Sequence, residues 1–180
     1  MKRQVLFIHG GGGQEAYEED EKLAADLRDV LGDAYAVRYP KMPDNHEYEA
    51  WREQIARELA ALGWDVVLVG HSLGASILLK YLSEAELEKP VAGIFLIAPP
   101  YWGAYDWEVS EYALQDGFAL QLPGELPAFI YHSCDDEVVP FAHLELYTER
   151  LDQATARAFD GRGHQFNDDM SEVARDIKGL

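Results

Sequence analysis

The chain has 180 residues, of which 33 are acidic and 15 basic, giving a formal charge of −18. Nucleic acid and anionic membrane surfaces require a basic footprint, so this balance argues against both as partners. Apolar residues at 48% and aromatics at 12% suit a chain with a full core, and one domain over residues 1–180 is expected.

The apolar run behind Met1-Lys2-Arg3 stops at Ile8, too short for a secretory leader. No run approaches the ~18 apolar residues of a membrane span. The single cysteine, Cys134, permits no internal disulfide, so a reducing, cytoplasmic setting is expected. Its acidic neighbours Asp135 and Asp136 speak against a nucleophilic role.

Gln4 to Ile8 reads as a first buried strand, followed by His9 and four glycines. Tyr17 to Leu31 reads as a helix with Glu18, Glu19 and Asp20 in its first turn, where the dipole favours acids, and Leu23, Leu27, Val30 and Leu31 inward. Ala34 to Arg38 is a second strand. Glu47 to Leu62 is a second helix, with Trp51, Ile55, Leu59 and Leu62 on one face and Gly63 as its stop. Val66 to Val69, four apolar residues in a row, suit a strand buried on both faces. After a turn, Leu73, Ile77, Leu78 and Tyr81 fall on one helical stripe. Val91 to Ala98, Pro127 to Ser133 and Thr155 to Phe159 are further strands; Phe141 to Leu151, with Pro140 suited to its first position, and Met170 to Lys178 are further helices. The segment from Pro99 to Leu126 is irregular. This alternation predicts an α/β three-layer sandwich, helices on both faces of a mostly parallel sheet, with any site at the carboxyl ends of the strands.

The turn between the third strand and its helix is Gly70-His71-Ser72-Leu73-Gly74, a G-x-S-x-G nucleophile elbow. Reversal from strand to helix within about three residues strains the serine and leaves no room for Cβ atoms two positions either side. A serine hydroxyl needs a base, and His164, in a glycine-flexed loop after the last strand, would project from the same edge. The base needs an acid. Asp136, after the fifth strand, is the choice, with Asp135 the alternative. The order Ser72, Asp136, His164 is the Ser, Asp, His order of α/β-hydrolases.

The glycine loop suits close backbone approach, so the oxyanion hole is assigned to the N–H groups of Leu73 and Gly11, with Gly12 open as an alternative. His9 is expected to hold that loop by hydrogen bonds, and His71 to face away from Ser72. His46, His132 and His143 are read as structural or exposed. No tight ligand spacing suggests a metal, and no cofactor is expected. Tyr101 and Trp102, with Tyr105, Trp107, Tyr112 and Phe118, could line an apolar substrate pocket; ordinary packing explains any one of them equally well. A competing reading takes Gly11-x-Gly13-x-x-Ala16 as a dinucleotide fingerprint with Arg38 on a 2′-phosphate, but leaves the elbow, Asp136 and His164 as coincidences.

These residues together resemble an α/β-hydrolase, in particular the small cap-less serine hydrolase family of the retinoblastoma-binding serine hydrolase and YdeN-like proteins. The marks are His9-Gly10, Met42-Pro43 followed by Trp51, Gly70-His71-Ser72-Leu73-Gly74, Ala98-Pro99, Asp136-x-x-Val139-Pro140 and Gly163-His164-x-Phe166. The resemblance implies a minimal hydrolase fold with a six-stranded sheet, a Ser72, Asp136, His164 triad, and cleavage of a small ester through an acyl-enzyme. Where the family usually has glycine before the acid, this chain has Ser133. The rival from another class is a non-catalytic binding protein on a hydrolase scaffold.

Overall fold

Burial follows the strand period through the centre of the chain. In β1 (Arg3–Ile8), Leu6 and Ile8 join the core on one side of the sheet and Val5 and Phe7 the core on the other. In β3 (Val66–His71) the split is Val66 and Leu68 against Val67 and Val69. All six residues of β3 are buried, which is why its sequence runs apolar without alternation.

The computed structural model describes residues 1–180. Its six strands are parallel, in the order β2-β1-β3-β4-β5-β6, with β2 at Tyr35–Arg38, β4 at Val91–Ile97, β5 at Ala128–Ser133 and β6 at Ala154–Phe159. Helices α1 (Gly13–Leu31) and α5 (Ser171–Lys178) cover one face. Helices α2 (Tyr48–Ala61), α3 (Leu73–Glu84) and α4 (Ala142–Thr148), with the segment after β4, cover the other. This is the three-layer α/β sandwich that the alternation predicts. The order reverses between β1 and β3, and the crevice at such a switch point is where doubly wound sheets bind ligands.

Two boundaries differ from expectation in ways that matter. Helix α1 starts at Gly13, four residues early, because Gly12 (φ 127°) and Gly13 (φ 66°) take a tight turn that only glycine enters freely. Asp20 is therefore well inside the helix and buried, not in its first turn. Helix α4 is shorter at both ends than the expected Phe141 to Leu151, and Pro140 lies outside it. The irregular segment after β4 contains two short 3-10 turns, Ser110–Tyr112 and Phe118–Gln121. No helix is long and apolar enough to cross a membrane.

Candidate active site

Ser72 stands between β3 and α3 with φ 52° and ψ −122°, a conformation costing about 1–3 kcal/mol that only a determined environment maintains. Its own N–H is anchored to the carbonyl of Ile97 on β4 at 2.8 Å. The glycines either side are required by space. A Cβ on Gly70 would lie 2.6 Å from Ala75 Cα, and one on Gly74 would run into the backbone carbonyls of Ile8 and His9. The elbow is thus pressed against the end of β1, and Gly10 is close enough that a Cβ there would touch that of Ser72 at 3.4 Å.

The end of β1 carries the glycine loop, and two histidines shape it. His9, buried, donates from Nδ1 to the carbonyl of Gly10 at 2.7 Å and accepts at Nε2 from the N–H of Met42 at 2.9 Å, so its ring is neutral. Burial lowers the His9 pKa in the same direction. The Gly10 carbonyl and the Gly11 N–H belong to one peptide plane, so fixing the first turns the second the opposite way. His46 Nε2 accepts from the N–H groups of Gly12 and Gly13, at 3.0 and 3.2 Å. Gly12 is thereby occupied, whereas the N–H groups of Gly11 and Leu73 engage no acceptor of the chain. A Cβ on Gly11 would lie 2.8 Å from the Leu73 side chain, so the two residues with free N–H groups are packed side by side. Such a pair can receive a developing oxyanion.

His164 lies across from this loop. Its Nδ1 donates to Asp136 Oδ2 at 2.9 Å, which leaves Nε2 as the basic nitrogen. The ring sits 4.7 Å from that of His71, next to the nucleophile position. No hydrogen bond joins the Ser72 hydroxyl to it in this structure; such contacts commonly tighten only when substrate is bound. The peptide groups around His164 are also held: its N–H donates to Glu137 Oε2 at 3.1 Å, and its carbonyl accepts from His71 Nε2 at 2.9 Å.

The Asp136 side chain is fully buried and saturated. Oδ1 accepts from the N–H groups of Val138 and Val139, both at 2.8 Å, while Oδ2 meets His164 and, at 3.2 Å, Nε2 of His132. Burial alone would raise its pKa, but the bonds from His132 and His164 outweigh it and hold the carboxyl well below the usual range. The alternative acid, Asp135, is exposed; it accepts from Ser133 Oγ and, at 3.0 Å, from the N–H of Gly163. Ser133 uses its hydroxyl to join the Asp136 turn to the His164 loop, since it also accepts from the Arg162 N–H at 3.1 Å.

The two expected pocket residues part company. Trp102 lies over the first turn of α3, donating from Nε1 to Ser76 Oγ at 3.0 Å and packing on Trp107 and Tyr112. Tyr101 turns towards α4, where its ring packs on Tyr147 and Arg150 and lines a separate cavity of about 350 Å³ with Phe118 and Asp116. Arg38 is paired through Nε with Glu58, and with the N–H groups of Gly12 and Gly13 held by His46 the dinucleotide reading loses its loop.

Four residues at this edge were not singled out as site residues. His132 touches Asp136, His46 closes the glycine loop, Glu137 holds the base loop, and Asp20 accepts from the N–H of Gly10 at 2.8 Å. For Asp20 a signal existed: it continues the inward stripe of Leu23, Ala24, Leu27 and Leu31, where a carboxylate requires a partner.

Among known proteins, a family model described as "Serine hydrolase" matches residues 17–170. The YdeN protein of Bacillus subtilis (strain 168) is 25% identical over 173 residues, covering 94% of this chain and 89% of that one. Its crystal structure matches with a TM-score of 0.71 at 19% identity, over 99% of this chain and 98% of that chain. The meta-cleavage product hydrolase CumD of Pseudomonas fluorescens IP01 matches with a TM-score of 0.76 at 16% identity, over 97% and 89%. SOBER1 of Arabidopsis thaliana matches at 0.69 and 16%, over 99% of both chains. At these identities the solved structures share the fold.

Proposed function

The chain belongs to the serine hydrolase family, and on that premise we propose that it cleaves ester-type bonds of a small, apolar acyl substrate as a carboxylesterase. Ser72 Oγ attacks the ester carbonyl while His164 Nε2 takes its proton, and the N–H groups of Leu73 and Gly11 receive the oxyanion. The tetrahedral intermediate collapses, the C–O bond to the alcohol breaks, and His164 returns the proton to the departing oxygen. Water, deprotonated by the same nitrogen, then attacks the acyl-enzyme and releases the acid and Ser72. Asp136 keeps the proton on Nδ1 and stabilises the imidazolium.

The observation that carries this reading is the 2.9 Å contact between His164 and buried Asp136, with the His164 ring 4.7 Å from that of His71, the residue before the strained elbow serine. The apolar acyl group rests on the aromatic wall of Trp102, Trp107 and Tyr112 beside the first turn of α3.

A fluorophosphonate probe and a set of 4-nitrophenyl esters of graded acyl length test it. Labelling and turnover in the wild type, both lost in Ser72→Ala, are expected. A folded wild type that neither reacts with the probe nor turns over any ester would instead favour a binding protein on this scaffold.

A further inference from the structure

Beneath the elbow lies an ion pair that the proposed chemistry does not use. Asp20 of α1 and His71, the last residue of β3, are each 1% exposed. Asp20 Oδ2 accepts from His71 Nδ1 at 2.8 Å and from the Gly10 N–H at 2.8 Å. His71 Nε2 faces the carbonyl oxygen of His164 at 2.9 Å. A carboxylate and a carbonyl are both acceptors, so the ring must donate from both nitrogens and is an imidazolium. Burial works against that charge, but Asp20 outweighs it, raising the His71 pKa and lowering that of Asp20.

The partners give the pair its meaning. Gly10 precedes Gly11, whose N–H is the proposed oxyanion donor, and His164 is the proposed base. The Asp20 carboxylate pins the peptide before Gly10, and the His71 ring pins the peptide after His164. Because His71 is covalently next to Ser72, one buried pair ties both loops to the proposed nucleophile. We propose that Asp20 and His71 form a positioning pair that sets the oxyanion loop and the base loop in register with Ser72. This rests on the hydrolase reading of the same site. A misplacement of about 1 Å at such a site costs on the order of a hundredfold in rate, so the effect should fall on kcat.

Two variants detach the loops, and a third preserves their anchors. Asp20→Ala removes the acceptor for Gly10 while leaving His71 free to become neutral. Asp20→Asn combined with His71→Leu removes the anchor of His164 without stranding a buried charge. Asp20→Asn alone, with its carbonyl oxygen in the Oδ2 position, keeps the acceptor that the Gly10 N–H and His71 Nδ1 share. kcat and KM for a 4-nitrophenyl ester, and the rate of fluorophosphonate labelling, would be measured where melting curves show each variant folded.

The expected result is a loss of about thirtyfold or more in kcat for Asp20→Ala and for the double variant, with KM within about threefold and Asp20→Asn within about fivefold of wild type. A purely structural pair would change melting temperature without that split. A folded Asp20→Ala or double variant with kcat within about threefold of wild type overturns the proposal. So does Asp20→Asn as impaired as Asp20→Ala, or failure of both detaching variants to fold, which would make the pair a requirement of the fold instead. If the wild type itself takes no label, the hydrolase reading fails first.

Discussion

Replacing Asp136 by Asn separates the shape of the acid from its charge. An Asn carbonyl oxygen in the Oδ1 position would keep both 2.8 Å bonds from Val138 and Val139. Its amide must then occupy the Oδ2 position and aim N–H groups at His164 Nδ1 and His132 Nε2, which now lie 2.9 and 3.2 Å from the carboxylate. His132 retains the Val139 carbonyl at 2.9 Å, so the conflict falls on His164. The simplest relief is for His164 to move its proton from Nδ1 to Nε2 and accept from the amide. The nitrogen that should receive the Ser72 proton is then blocked. In the serine protease template that substitution lowers kcat by about 10⁴, which at about 1.4 kcal/mol per tenfold is about 5 kcal/mol of transition-state stabilisation. Folding should lose less, about 1–3 kcal/mol, because Val138, Val139 and His164 keep their partners and only the amide N–H facing His132 is left without an acceptor. Initial rates on 4-nitrophenyl acetate, corrected for the Ser72→Ala background, would be set beside a urea titration. A folded Asp136→Asn protein retaining more than about a tenth of wild-type kcat would refute the assigned role.

Gly70→Ala should cost at least the ~1–3 kcal/mol of overpacking, since the new methyl meets Ala75 backbone at 2.6 Å; a urea midpoint within error of wild type would contradict the geometry. Trp51→Phe, at a fully buried ring whose Nε1 donates to the Pro43 carbonyl at 2.9 Å, should destabilise by about 1–3 kcal/mol in the same assay, and a neutral result would mean that bond contributes nothing. Stability should also fall between pH ~6.5 and 4, because the unfolded chain there binds protons that neutral buried histidines refuse. His143, pushed down to about 4 by burial, is one such group, so His143→Gln should remove about 2 kcal/mol of that fall; urea midpoints at the two ends of the range that shift as in wild type would exclude it.

The elbow and the two strand-end loops that bring Asp136 to His164 were legible because each rests on a local rule. Small residues flank a strained serine, and a histidine and a carboxylate follow strand ends, so neighbours in sequence carry the signal. Asp20 was misjudged because its placement turned on where α1 begins. That start was set by Gly12 and Gly13 turning so tightly that the helix follows at once, which moved Asp20 from an exposed first turn to the buried stripe. Tyr101 and Trp102 were beyond such rules. The segment after β4 has no period, and its side chains are sorted by partners distant in sequence, Ser76 for Trp102 and Tyr147 for Tyr101.

What the histidines do at this edge follows from the shortness of the loops they join. His9 reaches Met42, His46 reaches Gly12 and Gly13, His71 reaches the loop of His164, and His143 accepts from the Tyr101 N–H at 2.8 Å. Each joins a strand-end segment to one from another part of the chain, and the partner decides the protonation state. Backbone N–H donors force His9, His46 and His143 to be neutral acceptors, while a carboxylate and a carbonyl force His71 to be charged. Imidazole can take either part at a buried joint, which neither an amide nor an ammonium matches in one rigid ring. The proposed base differs from the others in a single respect. Its Nδ1 donates to Asp136, so the nitrogen left without a partner, Nε2, carries a lone pair, whereas the unpartnered Nε2 of His143, whose Nδ1 accepts, carries the proton; that lone pair is what the proposed reaction draws on.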